Sequence, residues 1–450
     1  MHRLTILVIT FLLISNYSYS KKDTLDFKTV DFKTYGYYMN QNWDSLIFLG
    51  NKALDNNIDY YYLRIRIGVA YFEKHKYQKA IIHFEHALKF NSQSEFAMEY
   101  LYYSYIYSGR ETEASLLSKS FSDSLKSKTK LSKFKIVSGV YADGGYIISN
   151  NEKKNQNIDF DGSENLFGEA DLAKDKYYFH LGLQHNFGKK LSIYHSYNYL
   201  SINNTKIVKT YNIIRVTDNY ITYQHEYYIN ANWFMKRGFI IIPAFHYSYL
   251  KFKLGIINKD TVLKNYIGSL ALSKYFSNSH VSLFLTYSDF DTSRQIQAGL
   301  LLTVYPFNNL KLYSTTGLIN KNDFSPPPPQ ESGHKGPNTN ITSGFVFYEL
   351  LGFNYYKNNW LEISATYGNL KNYNEQNAMI IYNTPDKINY KLEANLLFQL
   401  NNKIMLSFGY QYWDFTGSYL MQKSTVPKDI QTINTNYQNH LITGGIKWNL

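Results

Sequence analysis

The chain has no cysteine. That excludes disulfides, thiolate metal sites and thiol nucleophiles, and with them the lipidated cysteine that follows a lipoprotein signal. Proline is scarce: nine in 450 residues, four of them in the single run Pro326 to Pro329. No segment has eighteen consecutive apolar residues, so none is long enough to cross a bilayer as a helix. A mean hydropathy of −0.38 is also too polar for a bundle of membrane helices.

Aromatic residues are in excess, at 18% of the chain, and 45 of them are tyrosine. Amphipathic rings gather at membrane–water interfaces. A polar average and an aromatic excess are reconciled by a membrane β-barrel, in which only alternate strand residues face lipid. The formal charge is +12. A basic balance can attract nucleic acid or anionic lipid. The Lys- and Asn-rich composition is the plainer explanation, and no nucleic-acid partner is expected.

Residues 1–20 read as a secretory signal peptide. His2 and Arg3 form the basic end, Leu4 to Ile14 the apolar stretch, and Ser18 and Ser20 the small residues before a cut ahead of Lys21. Residues 21–130 then carry a helical period. Asp59 to Asn91 holds Ile67, Gly68, Tyr71, Tyr77, Ala80, Phe84 and Ala87 at the spacing of a tetratricopeptide (TPR) repeat, which this segment resembles. Steps of 34 residues give partial copies. Tyr37, Tyr71 and Tyr105 align, as do Trp43 with Tyr77 and Ala80 with Ala114. The outer copies are degenerate, with Thr34 and Tyr102 at the Gly position and Gly50 and Ser118 at the Phe position. One good repeat and two weak ones are expected over about residues 30–124. The resemblance implies packing positions between paired helices and a groove for a periplasmic protein or peptide; a spacer is the equal alternative.

From residue 133 the period becomes two. Tyr390, Leu392, Ala394, Leu396 and Phe398 share one face, and Lys391, Glu393, Asn395 and Gln399 the other. The runs reach the roughly 9–11 residues that cross a bilayer at a tilt. About fourteen strands are expected, within two either way, in an antiparallel transmembrane β-barrel over 131–450. They are placed at 133–145, 176–187, 190–200, 218–230, 238–251, 264–276, 280–289, 294–306, 310–319, 343–356, 360–369, 387–400, 403–414 and 437–450. Connections alternate between tight turns, such as Asn401-Asn402, and long polar loops at 146–175, 201–217, 320–342, 370–386 and 415–436. Short periplasmic turns and long outer loops are the barrel pattern. An even strand count puts both barrel ends, and the helices, in the periplasm.

Strand parity points Glu226, His246, Glu362, Lys391, Glu393, Asn395 and Gln399 into the lumen. Such groups set pore selectivity or pair to fill a narrow barrel, and Lys391 with Glu362 is the expected filling pair. His246 and Ser248 share the His-x-Ser spacing of outer-membrane phospholipases. They face the lumen, whereas a lipid hydrolase needs them toward lipid, so no enzymatic activity, catalytic residue, metal or cofactor is expected. Asp159, Asp161, Ser163 and Glu164 place oxygen ligands at alternate positions, but the later bidentate acid of a calcium loop is missing. Pro326 to Pro329 reads as a stiff loop segment. Lys126, Lys128, Lys130, Lys133 and Lys135 read as a solvated linker that could touch anionic headgroups.

Helical repeats followed by a barrel resemble two groups of Gram-negative outer-membrane proteins: the YaiO-like barrels and, more distantly, the exopolysaccharide export porins. The resemblance implies a non-enzymatic, porin-like pore, export channel or anchor. Its partners would be outer-membrane lipid, the barrel-assembly machinery and a periplasmic protein bound by the helices. A barrel enzyme acting on lipid, or a surface-binding protein using its long loops, is the alternative.

Overall fold

In the computed structural model, the described residues are 25–129, 135–156, 167–188, 190–210, 213–235, 238–254, 259–290, 293–325, 340–384, 386–422 and 430–450. Residues 1–20, read as a signal peptide, the acidic cluster at 159–164, the Pro326 to Pro329 run, Lys130 and Lys133 lie outside them.

The N-terminal region is a row of paired helices: α1 (Phe27–Met39), α2 (Trp43–Asp55), α3 (Tyr61–Glu73), α4 (Tyr77–Phe90), α5 (Glu95–Tyr107) and α6 (Glu111–Leu117). The first helices of the pairs begin at Phe27, Tyr61 and Glu95, and the second at Trp43, Tyr77 and Glu111, each step being 34 residues. Left-handed residues Gln41, His75 and Gly109 recur at the same step and turn each pair back on itself. All three repeats therefore form, although only the middle one keeps the full sequence pattern. Its small residue has a clear cause: a Cβ on Gly68 would lie 2.8 Å from the Phe84 ring. Ile67, Tyr71, Ala80, Phe84 and Ala87 are buried in one apolar core with Val30, Leu46, Leu63, Ala97, Leu101 and Ala114.

Polar bonds stitch the pairs together where the pattern is weak. Thr34, at the first repeat's Gly position, accepts a 2.9 Å bond from the Arg66 guanidinium, which also holds Asp31 at 2.7 Å. Tyr105 donates to Glu85 at 2.6 Å. A short helix α7 (Asp123–Lys128), which contains Lys126 and Lys128, closes the region.

The rest of the described chain is a closed barrel of fourteen antiparallel strands: β1 (Val137–Ser149), β2 (Phe167–Phe187), β3 (Leu191–Thr210), β4 (Ile213–Phe234), β5 (Phe239–Leu254), β6 (Lys259–Tyr275), β7 (Ser279–Phe290), β8 (Ser293–Val304), β9 (Leu312–Ser325), β10 (Asn340–Tyr356), β11 (Asn359–Gly368), β14 (Lys387–Gln399), β15 (Ile404–Gln422) and β16 (Ile430–Asn449). Two short strands, β12 (Asn374–Glu375) and β13 (Ile380–Ile381), form a separate sheet. Neighbours in sequence are neighbours in the ring, and β1 pairs with β16 to close it. Closure leaves no unpaired strand edge along the described wall.

All fourteen expected strands are present, but several run further. The segment 201–217, read as a loop from its polarity, is mostly strand, because β3 and β4 pair as far as Thr210↔Ile213. The polarity did not end the strand because its inward groups find partners: Lys206 is buried and pairs with Glu169 at 2.5 Å, and Ile207 joins an apolar cluster with Ala170 and Leu172.

Burial is inverted relative to a soluble protein. Outward positions are apolar and exposed: Leu270 and Leu272, Leu283 and Leu285, Leu300 and Leu302, Phe345 and Phe347, and Ile442 and Ile446. Inward positions are polar and buried: His246, Ser248, Thr286, Ser288, Gln295, Gln297, Thr366, Lys391 and Asn439. Large exposed apolar surfaces mark contact with another phase or molecule. No described helix is long and apolar enough to cross a membrane.

Candidate functional site: a hairpin inside the barrel

The connection between β11 and β14 is the main departure from expectation. Residues 370–386, read as an external loop, fold into the lumen as the hairpin β12–β13. Its apolar residues explain the placement: Leu370, Tyr373, Ala378, Ile381 and Tyr382 are all buried. The stretch Ala378 to Tyr382 is too apolar for a solvated loop, and it is the signal in the sequence that could have shown this.

The tip is held in a costly conformation. Gln376, Asn377 and Ala378 are consecutive non-glycine residues with positive φ, at 52°, 57° and 63°. Gln376 and Ala378 each cost roughly 1–2 kcal/mol relative to right-handed backbone, whereas Asn377 is the type that tolerates this region, so the wall must hold the tip. Asn377 accepts 2.6 Å from the Ser269 hydroxyl on β6. The Ala378 carbonyl lies 2.7 Å from His246 Nδ1 on β5. On the neighbouring strands of the same wall, Asn374 donates at 2.6 Å to Ser288 on β7, and its backbone N–H donates at 3.1 Å to Gln297 on β8.

The base of the hairpin is ionic. Lys391 Nζ on β14 lies 2.7 Å from Glu375, 2.7 Å from the Tyr382 hydroxyl and 3.0 Å from Glu393. Tyr382 donates to the same Glu375 oxygen at 2.6 Å. Lys321 on β9 donates to the Lys371 carbonyl at 2.5 Å, and Tyr437 on β16 to Asp386 at 2.8 Å. A buried lysine with two carboxylates and a phenol has its charge compensated and its donors used.

The inward positions named from the sequence fall into different settings. Lys391 and Glu393 belong to the hairpin anchor, where Ser364 also donates to Glu393 at 2.9 Å. The expected pair of Lys391 with Glu362 does not form; Glu362 instead accepts from Tyr313. The reason is the hairpin, which brings Glu375 to Lys391 from inside the lumen. Glu226 accepts from Asn198 at 2.9 Å and from Gln224, and stands 3.4 Å from His246. Asn395 faces Gly409 across the β14–β15 pair, and Gln399 ties the turn after β14 through its bond to Ile404 O at 3.3 Å. Glu375, Asn374, Asn377 and Tyr382 were missed, because the segment was assigned to the outside. Of the repeat residues, Ile67, Gly68, Tyr71, Ala80, Phe84 and Ala87 pack between helices, and Tyr77 packs edge-on against Phe72 at 5.4 Å.

The hairpin does not fill the lumen. A cavity of about 750 Å³ remains between it and the wall, lined by Asp143, His180, Glu226, Phe252, Met379 and Trp413 among others. Above the cavity, at the long-loop end, β2 pairs with β15 through Leu420↔Glu169 and Met421↔Gly168, although β16 and β1 separate these strands lower down. Ala170, Leu172, Ile207, Tyr419 and Met421 make an apolar cluster there, so the wall draws in on that side of the mouth. The opposite mouth carries the helices. Gln78 N–H donates to Asn308 O at 3.2 Å, and Asn309 donates to His75 O at 2.9 Å. Arg110 stacks between Tyr105 and Tyr275, 4.9 and 5.1 Å from the ring centroids. The repeats thus sit on the short-turn end of the barrel.

Among known proteins, no family model matches the chain, and no curated protein matches it. Two kinds of solved structure are similar to separate parts. The P. putida toluene transporter TodX is 6% identical over 70% of this chain and 90% of its own, with a TM-score of 0.40. A TodX monoaromatic hydrocarbon channel mutant is 7% identical over 70% and 91%, at 0.42. A point mutant of MamA is 26% identical over 22% of this chain and 72% of its own, at 0.21. The chain itself is a fourteen-strand barrel with an internal hairpin and a TPR-like helical region.

Proposed function

We propose that this protein is an outer-membrane channel held shut by the hairpin 370–386, with its helical repeats on the periplasmic mouth. The inverted burial supports the membrane: an apolar outer wall and a polar interior suit lipid outside and water or solute inside. The short-turn end carries both barrel termini and the helices, which fits the periplasmic side. The single observation that carries the channel reading is the hairpin itself. A lumen filled only for stability needs no separate segment with a strained tip, whereas a strained, polar-anchored segment can leave when a ligand or partner offers better contacts. The helical repeats, docked on the turns that frame the mouth, are placed to receive a periplasmic partner. No catalytic role is proposed.

The test is conductance in planar bilayers. The wild-type protein is expected to be nearly silent. A variant with residues 371–384 replaced by a short Gly-Ser turn is expected to show steady ohmic steps. Silence of that variant, with heat-modifiable migration confirming a folded barrel, would overturn the channel reading.

A further inference from the structure

Among the described residues, the middle of the outer wall breaks its own rule at two places. On β10, Glu349 points outward between Phe347 and Leu351, both exposed. It lies two outward positions from Phe345 on one side and from Phe353 on the other. Ser314 on β9 donates to one carboxylate oxygen at 2.5 Å and Thr316 to the other at 2.6 Å. On β3, His195 points outward between Ile193 and Tyr197, two outward positions from Leu191 and from Tyr199. Its Nδ1 lies 3.1 Å from the Tyr227 hydroxyl, and its Nε2 lies 3.0 Å from His185 Nε2. Two other outward imidazoles, His225 and His440, sit higher among Tyr199, Tyr249 and Tyr412.

A carboxylate facing hydrocarbon is costly unless it is paired, and ionisable residues at that depth mark function. Here each oxygen receives one hydroxyl donor, yet each keeps a lone pair free. The histidine pair is complementary. If the Tyr227 hydroxyl donates to His195 Nδ1, then His195 Nε2–H donates to His185 Nε2, and His185 Nδ1–H is left as a donor.

The two patches also stand in a fixed relation. β3 and β10 are seven strands apart either way round the ring of fourteen. Patches on opposite walls at matching depth cannot meet within one barrel. They meet between two copies related by a shift in the membrane plane, which keeps both copies the same way up. Such a contact is heterologous, and a straight shift does not close, so it repeats into a row.

We infer that the protein assembles laterally with further copies of itself, the Glu349 patch of one barrel against the His195 and His185 patch of the next. This inference rests on the bilayer placement proposed above and is independent of whether the lumen conducts.

The absence of native cysteine allows a direct test. Leu351→Cys beside Glu349 and Ile193→Cys beside His195 are made singly and together, and a short bis-maleimide is applied in native outer membranes. The double variant is expected to give a ladder of dimers, trimers and longer products. Neither single variant should cross-link. Adding Glu349→Leu to the double variant should reduce the ladder at least tenfold while heat-modifiable migration stays unchanged. Dimers from Leu351→Cys alone would mean a face-to-face contact and overturn the row. A correctly folded double variant that gives no product, or a ladder indifferent to Glu349→Leu, would also overturn it. A chain that carbonate extracts from the membrane would refute the bilayer placement first, and this inference with it.

Discussion

The helical repeats and the barrel are built from the same aromatic-rich sequence under opposite rules. In the repeats, Phe84 is buried at 0% exposure and Lys and Glu face outward; in the barrel, Leu285 is 56% exposed and Lys391 is 1% exposed. The difference teaches that a buried position is defined by the surrounding solvent, not by the residue. Water drives the repeat's apolar face inward. In the proposed bilayer placement the barrel's outer wall meets a phase as apolar as leucine, so its polar groups turn in and must satisfy one another. The hairpin is where the rules meet, with an apolar stretch and an ionic anchor inside a polar lumen.

The contrast can be broken from either side. The largest effect is expected in the repeat core. Phe84→Ala should destabilise the helices by about 3–5 kcal/mol, read as lost thermal stability at 222 nm with the strand signal of the barrel unchanged. In the lumen, Lys391→Met leaves Glu375 and Glu393 without their cation and should cost about 3–5 kcal/mol. Its signature is faster hydrogen exchange across 370–386 in a barrel that still resists heat in detergent.

Acid separates the regions as well. Burial pushes the His83 imidazole down to about 3 in the folded helices, with the Arg64 guanidinium beside it adding to the shift. The unfolded chain therefore takes up the proton first, so this stability is complete above the unfolded value near 6.5 and is lost as pH falls toward 3. Arg64 also holds the Asp59 carboxyl below its usual range, which removes further stability in acid. The helical signal should melt at a lower temperature at about pH 4 than at about pH 7, and His83→Phe should flatten that dependence. On the outer wall, Leu285→Arg should cost about 2–4 kcal/mol in urea titrations of bilayer folding. The smallest effect is a helix cap: Ser94 accepts from Ala97 N–H at 3.1 Å, and Ser94→Ala should cost about 1 kcal/mol.

The barrel was legible in the sequence because the period of two survives in every strand, and turn and loop lengths alternate with it. The repeats were legible because Gly68, Ala80 and Phe84 cannot be exchanged freely where helices cross. The degenerate outer repeats still fold, because Arg66 with Thr34 and Tyr105 with Glu85 replace pattern packing with hydrogen bonds, which no spacing rule records. The lumen-facing residues followed from parity, but their partners did not. Parity fixes the face of a wall residue and says nothing about a connection that enters the lumen. For that reason Lys391 was matched with Glu362, whereas its partners are Glu375 and Glu393.

The central claim is a barrel turned inside out and closed from within. A single-nitroxide scan along β8, in a chain that needs no cysteine removed, tests it most directly in liposomes. Positions 296, 298, 300 and 302 should collide with oxygen in the lipid. Positions 295 and 297 should be shielded from both oxygen and a water-soluble relaxation agent, because Asn374 of the hairpin bonds to both side chains. Strong water-phase collisions at the odd positions would mean an open lumen, and the absence of alternation would contradict the inverted barrel.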